Sequence, residues 1–278
     1  MAGGQHVLTM LDPIYGVPEW LTAVVLIVAI LAATELGFRQ GHKSYGTEDA
    51  DTKSWITTIV AAVLGVLGLL LAFTINMAVT RFDIRRLLVV EEANAIGTSY
   101  WRAQLVPPPE GPELVNLLRE YTQARIDFSK AARVQFVADV DKEINAARER
   151  SGQLQEEMWA RAATFAQKDP RSVTAGLLLQ TLNQTFDLEA SRWAAFNAHV
   201  PPSVIWANCM IALLAALLVG YSLGLAGHRS IFHMVMLALC ITVVMIVILD
   251  LDDPRHGFIR VGYQPLMDVQ RQMGPPAH

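Results

Sequence analysis

Charge is scarce in this chain of 278 residues. Asp, Glu, Lys and Arg together make up 17% of it, against about 25% in an ordinary soluble domain. The 22 basic and 26 acidic residues leave a formal net charge of −4. That excludes the basic excess of a nucleic-acid-binding domain, so no nucleic-acid partner is expected. Cysteine is nearly absent. Cys209 and Cys240 each lie inside a long apolar run, where a thiol acts as a small hydrophobe rather than as half of a disulfide or a metal ligand. No glycine-rich phosphate loop, dinucleotide fingerprint or zinc spacing occurs in the sequence. Gly220-Tyr221-Ser222-Leu223-Gly224 has the letters of a nucleophile elbow, but it lacks the preceding strand which that strained turn requires. Small residues for close helix packing explain it better. Neither catalytic residues nor a cofactor nor a resident metal is expected.

The sequence is rich in long apolar runs, and 53% of it is hydrophobic. Four blocks hold the excess, at about 20–36, 55–79, 204–226 and 231–249. A membrane-spanning helix needs roughly 20 mainly apolar residues. Only helices and closed barrels satisfy their backbone groups in hydrocarbon, and these runs lack the alternation of barrel strands. Four transmembrane helices are therefore predicted. Residues 1–19 contain no Lys or Arg, so the first block reads as a retained anchor rather than a cleaved signal.

The charges concentrate between the second and third blocks. Ile84, Leu87, Leu88, Ala95 and Ile96 recur at helical spacing, as do Leu114, Leu117, Leu118 and Tyr121 after the Pro107-Pro108-Pro109 break. Further helices are predicted over about 140–167 and 172–199. The fold class is thus all-α, with four parts. These are an N-terminal membrane hairpin (1–80), a helical extramembrane domain (81–200), a C-terminal membrane hairpin (201–250) and a short tail (251–278). Four spans place Arg81, Arg85, Arg86, Arg192, Arg255 and Arg260 on one side of the membrane and Arg39, Lys43, Lys53 and Arg229 on the other. The positive-inside rule then favours a cytoplasmic helical domain on a multi-pass inner-membrane protein.

The second span carries two stripes. Ala61, Gly65, Gly68 and Ala72 put small residues on one line, which lets helices approach closely. Leu69, Phe73, Asn76, Thr80, Asp83 and Leu87 form the other, passing from apolar to polar. Copied around a symmetry axis, this stripe would give a dry constriction at Leu69 and Phe73 and a wetter ring at Asn76 and Thr80. Alternatively, the face packs on the chain's own third span, with Asn76 as interhelical glue. Arg81, Arg85 and Arg86 follow, with Asp83 among them, as candidate vestibule charges. His233 is expected to bond a neighbouring helix or face the membrane interface. Asp250, Asp252 and Asp253 read as a helix-ending turn paired with Arg255 and Arg260.

The stretch Leu69 to Thr98 (LLLAFTINMAVTRFDIRRLLVVEEANAIGT) and the end Leu249 to Asp268 (LDLDDPRHGFIRVGYQPLMD) resemble the bestrophin-like family of prokaryotic membrane proteins. That family is in turn similar to bestrophins, pentameric anion channels with four spans per subunit and a cytoplasmic helical domain. The run from Phe73 to Val79-Thr80-Arg81-Phe82 is similar to their pore-lining exit. The resemblance implies Leu69 and Phe73 at neck positions, with Gly65 one turn above in place of a bulky group. It also implies a homo-oligomer, with a pentamer favoured, in contact with lipid and conducting an inorganic ion such as chloride. The longer acidic run that binds calcium in animal bestrophins is not reproduced here. The rival reading is a non-conducting membrane scaffold or sensor whose helical domain binds a partner.

Overall fold

The computed structural model describes residues 18–133, 140–254 and 259–274. His6, Arg255, His256 and His278 lie outside them. Among the described residues the chain forms eight helices and no strand. They are α1 (Glu19–Lys43), α2 (Ala50–Ala103), α3 (Glu110–Ala131), α4 (Val140–Lys168), α5 (Val173–Phe196), α6 (Pro202–Leu225), α7 (Ile231–Asp252) and α8 (Gln264–Met273). Two compact units result, one of residues 1–80 with 199–253 and the other of 81–198 with 254–278.

In the first unit, α1, α2, α6 and α7 are each long and apolar enough to cross a membrane. Only 17% to 33% of the most apolar stretch of each is buried within the chain. Surface of that kind is disfavoured in water and suits lipid or other subunits. The helices overrun the apolar blocks. α1 continues to Lys43 and α2 already begins at Ala50, where the sequence suggests a longer polar loop. Apolarity marks where hydrocarbon ends, whereas a helix stops at its punctuation. Here that punctuation is Gly46, at φ 81°, and Asp49, whose Oδ1 accepts the Thr52 N–H at 2.9 Å. Along α2 the polar side chains bond inward. The hydroxyls of Thr74 and Thr80 each donate to the carbonyl four residues back, at 2.8 Å.

α1 makes its main contact with α6, and glycine sets that approach. A Cβ at Gly37 would strike the Leu217 carbonyl oxygen, and one at Gly220 that of Thr34. Gly41 against Tyr221 and Gly224 against Phe38 repeat the pattern one turn on. The small pair at Gly220 and Gly224 thus serves close packing. By contrast, a Cβ at Gly65 or Gly68 would meet nothing. That stripe of α2 is open in the single chain.

The second unit has a continuous apolar core. Leu114, Leu118 and Tyr121 of α3 meet Leu154 and Met158 of α4 and Leu178 and Leu182 of α5. Val89 and Ile96 of α2 join them, as do Leu266 and Met273 of α8. Ile84 and Leu87 do not; both are exposed, because they share the outward stripe of α2 rather than the face carrying Val89 and Ile96. α8 is latched by the Met273 carbonyl, which accepts from Tyr100 Oη at 3.1 Å and from Arg119 Nε at 2.9 Å.

Candidate functional site

The two faces of α2 are sharply different. Leu67, Leu71, Thr74 and Ala78 are buried within the membrane unit. Leu69 is 56% exposed and Phe73 63%, and Asn76 and Thr80 are exposed as well. The stripe continues outward through Asp83 and Leu87. None of the stripe packs on the chain's own third span. That position belongs to Thr74, whose hydroxyl accepts from Asn208 Nδ2 of α6 at 2.7 Å. Thr74 lies two residues from Asn76, about 200° around the helix. Asn76 is therefore turned away from α6, and the interhelical glue is Thr74 with Asn208. The pair is separated by 134 residues in sequence, so no local pattern announces it.

The candidate vestibule charges diverge. Asp83 and Arg86 are exposed and Arg81 is half-buried. Arg85 is buried, turned into the helical unit. Arg192 is also interior rather than on an outer surface. Its Nη1 donates to Glu92 Oε2 at 2.5 Å and its Nη2 to Ser129 Oγ at 2.6 Å. Arg125 Nε donates to the other oxygen of Glu92 at 2.5 Å, and Arg125 also reaches Glu189 at 3.4 Å. Both guanidiniums lie near the face of Phe128, at 4.9 Å for Arg125 and 5.5 Å for Arg192. Burial alone would raise the Glu92 carboxyl, but Arg125 and Arg192 outweigh it and hold the group below its ordinary value. The Tyr121 phenol is pushed well above its ordinary value, chiefly by burial. Sequence reasoning missed this cluster. Its signal is a charge on an apolar line, since Glu92 sits among Val89, Ala93 and Ile96.

At the end of α7 the acids do different work from the expected pairing. Asp252 is fully buried, and its two oxygens accept the Val200 N–H at 2.9 and 3.0 Å. His199 Nδ1 lies 3.6 Å from the same carboxylate. Arg260 donates to the Arg133 carbonyl at 2.7 Å. An amide freed by the Pro201-Pro202 break is a close donor for Asp252, which is why the turn closes locally. His233 bonds Ser230 of its own helix start, at 2.5 Å between Oγ and Nδ1, rather than a neighbouring helix. Among the described residues no group of three or more His, Cys, Asp or Glu is placed to hold a metal ion.

The family model described as Bestrophin-like domain matches residues 23–266. Among solved structures, the chain is similar to two point-mutant crystal structures of a bacterial bestrophin homologue from Klebsiella pneumoniae. One is 12% identical, covering 91% of this chain and 97% of that one, with a TM-score of 0.65. The other is 15% identical, covering 89% and 97%, with a TM-score of 0.62. A crystal structure described as a membrane protein matches at 14% identity over 89% and 97% of the two chains, with a TM-score of 0.63. These matches establish the fold. Among curated proteins none matches the sequence.

Proposed function

The chain belongs to the bestrophin-like family, and from that premise we propose that it is an oligomeric ion channel whose pore is lined by α2 of each subunit. The observation that carries this reading is the outward stripe of α2. Leu69 and Phe73, then Asn76 and Thr80, are exposed in the single chain although the opposite face of the same helix is packed. Lipid would accept the first two residues. It would not favour the polar residues that continue the same line. Around an axis the stripe makes a dry constriction followed by a hydrated ring. Arg81, Asp83 and Arg86 stand at its mouth, and the excess of arginine there favours anions such as chloride. In this reading the particle is a pentamer in the inner membrane with its helical unit in the cytoplasm. The helical unit and membrane hairpins follow the divisions at 81–200 and 201–250, with the tail from 251.

Purified protein in planar bilayers is expected to conduct, and Phe73→Ala to raise the current severalfold by widening and wetting the constriction. Arg81→Gln with Arg86→Gln should shift the reversal potential toward lower anion preference. Absence of current across a panel of monovalent ions contradicts the proposal.

One observation favours the scaffold reading. A groove of about 650 Å³ opens on α3 and α4, lined by Glu120, Asp127, Lys130, Glu143 and Arg150 among others. A silent membrane protein that binds a partner through this groove would retain binding after Phe73→Ala.

A further inference from the structure

A small cavity in the helical unit is lined by four arginines and no carboxylate. Arg85, Arg133, Arg192 and Arg260 reach it from α2, the end of α3, α5 and the segment before α8, together with the Ser129 hydroxyl. The rest of its wall is largely apolar, with the rings of Phe128 and Phe196. Its volume is about 50 Å³. Water occupies about 30 Å³ per molecule, so the space suits one halide or one nitrate and is too small for a phosphate ester. We propose that this cavity is a binding site for a small monovalent inorganic anion.

Four guanidiniums around one apolar-walled space repel one another, and a low local dielectric strengthens that repulsion. An anion at their centre reverses its sign. Donor capacity is ample, because each arginine carries five N–H groups. Arg192 spends one on Glu92 and one on Ser129, and Arg260 one on the Arg133 carbonyl. The Arg133 guanidinium lies over the Tyr263 ring at 5.3 Å, an arrangement that leaves its in-plane donors available. Arg85 and Arg260 make other polar contacts as well, and the site does not need them to be unengaged. The nearby acids are already committed: both Glu92 oxygens go to Arg125 and Arg192, and Glu189 pairs with Arg125. Arg85 in this role is a ligand of an enclosed site rather than a charge facing a vestibule.

The site is independent of conduction, so its test uses binding. The full chain in detergent is unfolded thermally in sodium gluconate and in sodium bromide at equal ionic strength. At about ten times the dissociation constant, bromide should raise the midpoint by about 3 °C. Arg133→Gln and Arg260→Gln should abolish the increment, while Arg171→Gln, at an exposed position outside the cavity, should keep it. Bromide anomalous scattering from crystals of the unaltered protein covers the case in which a variant fails to fold. A peak inside the cavity supports the site. Equal midpoints in the two salts, an increment that survives Arg133→Gln, stabilisation by sulfate alone, or an empty cavity in the anomalous map each overturn it.

Discussion

Glu92→Gln should destabilise the helical unit by about 3–5 kcal/mol, the range for removing one partner of a buried ion pair. The carboxylate is fully buried and divides its two oxygens between Arg125 and Arg192. A neutral amide leaves two interior guanidiniums facing each other with reduced compensation, and its NH2 presents a donor where an acceptor is required. The expected readout is a lowered midpoint in chemical or thermal unfolding, with α2, α3 and α5 losing amide-exchange protection together. The pH dependence has a defined sign. The folded Glu92 carboxyl lies below its ordinary value of 4.5, so its contribution is fully present above that pH. It is lost as pH falls through the depressed folded value. The variant should lack this acid-dependent component. A variant as stable as the parent at neutral pH would show that the cluster contributes nothing net.

Gly220→Leu should prevent stable packing of the membrane unit. At this position any side chain meets the Thr34 carbonyl of α1, which is backbone and cannot swing aside. Overpacking in a compliant core costs about 1–3 kcal/mol, and here the only relief is separation of α1 from α6. Separation would also break the matching contacts at Gly37, Gly41 and Gly224. The expected result is low yield of folded protein and aggregation on extraction into detergent. Gly65→Leu is the informative comparison, because a Cβ there meets nothing within the chain. It should leave the single subunit folded, and any effect should fall on assembly. Equal tolerance at the two positions would contradict this assignment of the close α1–α6 approach.

Much of this architecture is legible from residue order. Membrane spans announce themselves because hydrocarbon demands an uninterrupted apolar helix. The Leu114, Leu118 and Tyr121 spacing exposes the core face of α3 for the same periodic reason. The small residues at Gly220 and Gly224 mark a close crossing, although the partner glycines on α1 become visible only when the helices are brought together. Polar pairing is the part that does not show. Thr74 finds Asn208 across 134 residues, and Glu92 finds Arg192 across 100. Nothing local distinguishes Thr74 from the other inward-bonded threonines, or Arg85 from the exposed Arg86 beside it. The candidate stripe was written in the four-three spacing of Leu69, Phe73, Asn76 and Thr80. What spacing leaves open is whether that face packs within the chain, and the exposure of all four residues answers that it does not.

The central proposal is that the exposed stripe of α2 meets its copies at a shared axis. Electron cryomicroscopy of the protein in lipid nanodiscs tests this most directly. The account predicts a symmetric oligomer in which Leu69 and Phe73 from every subunit ring a narrow, lipid-free axial passage, with Asn76 and Thr80 on the same wall. A lone subunit, or an assembly whose Leu69–Thr80 stripe faces the surrounding acyl chains, would contradict it.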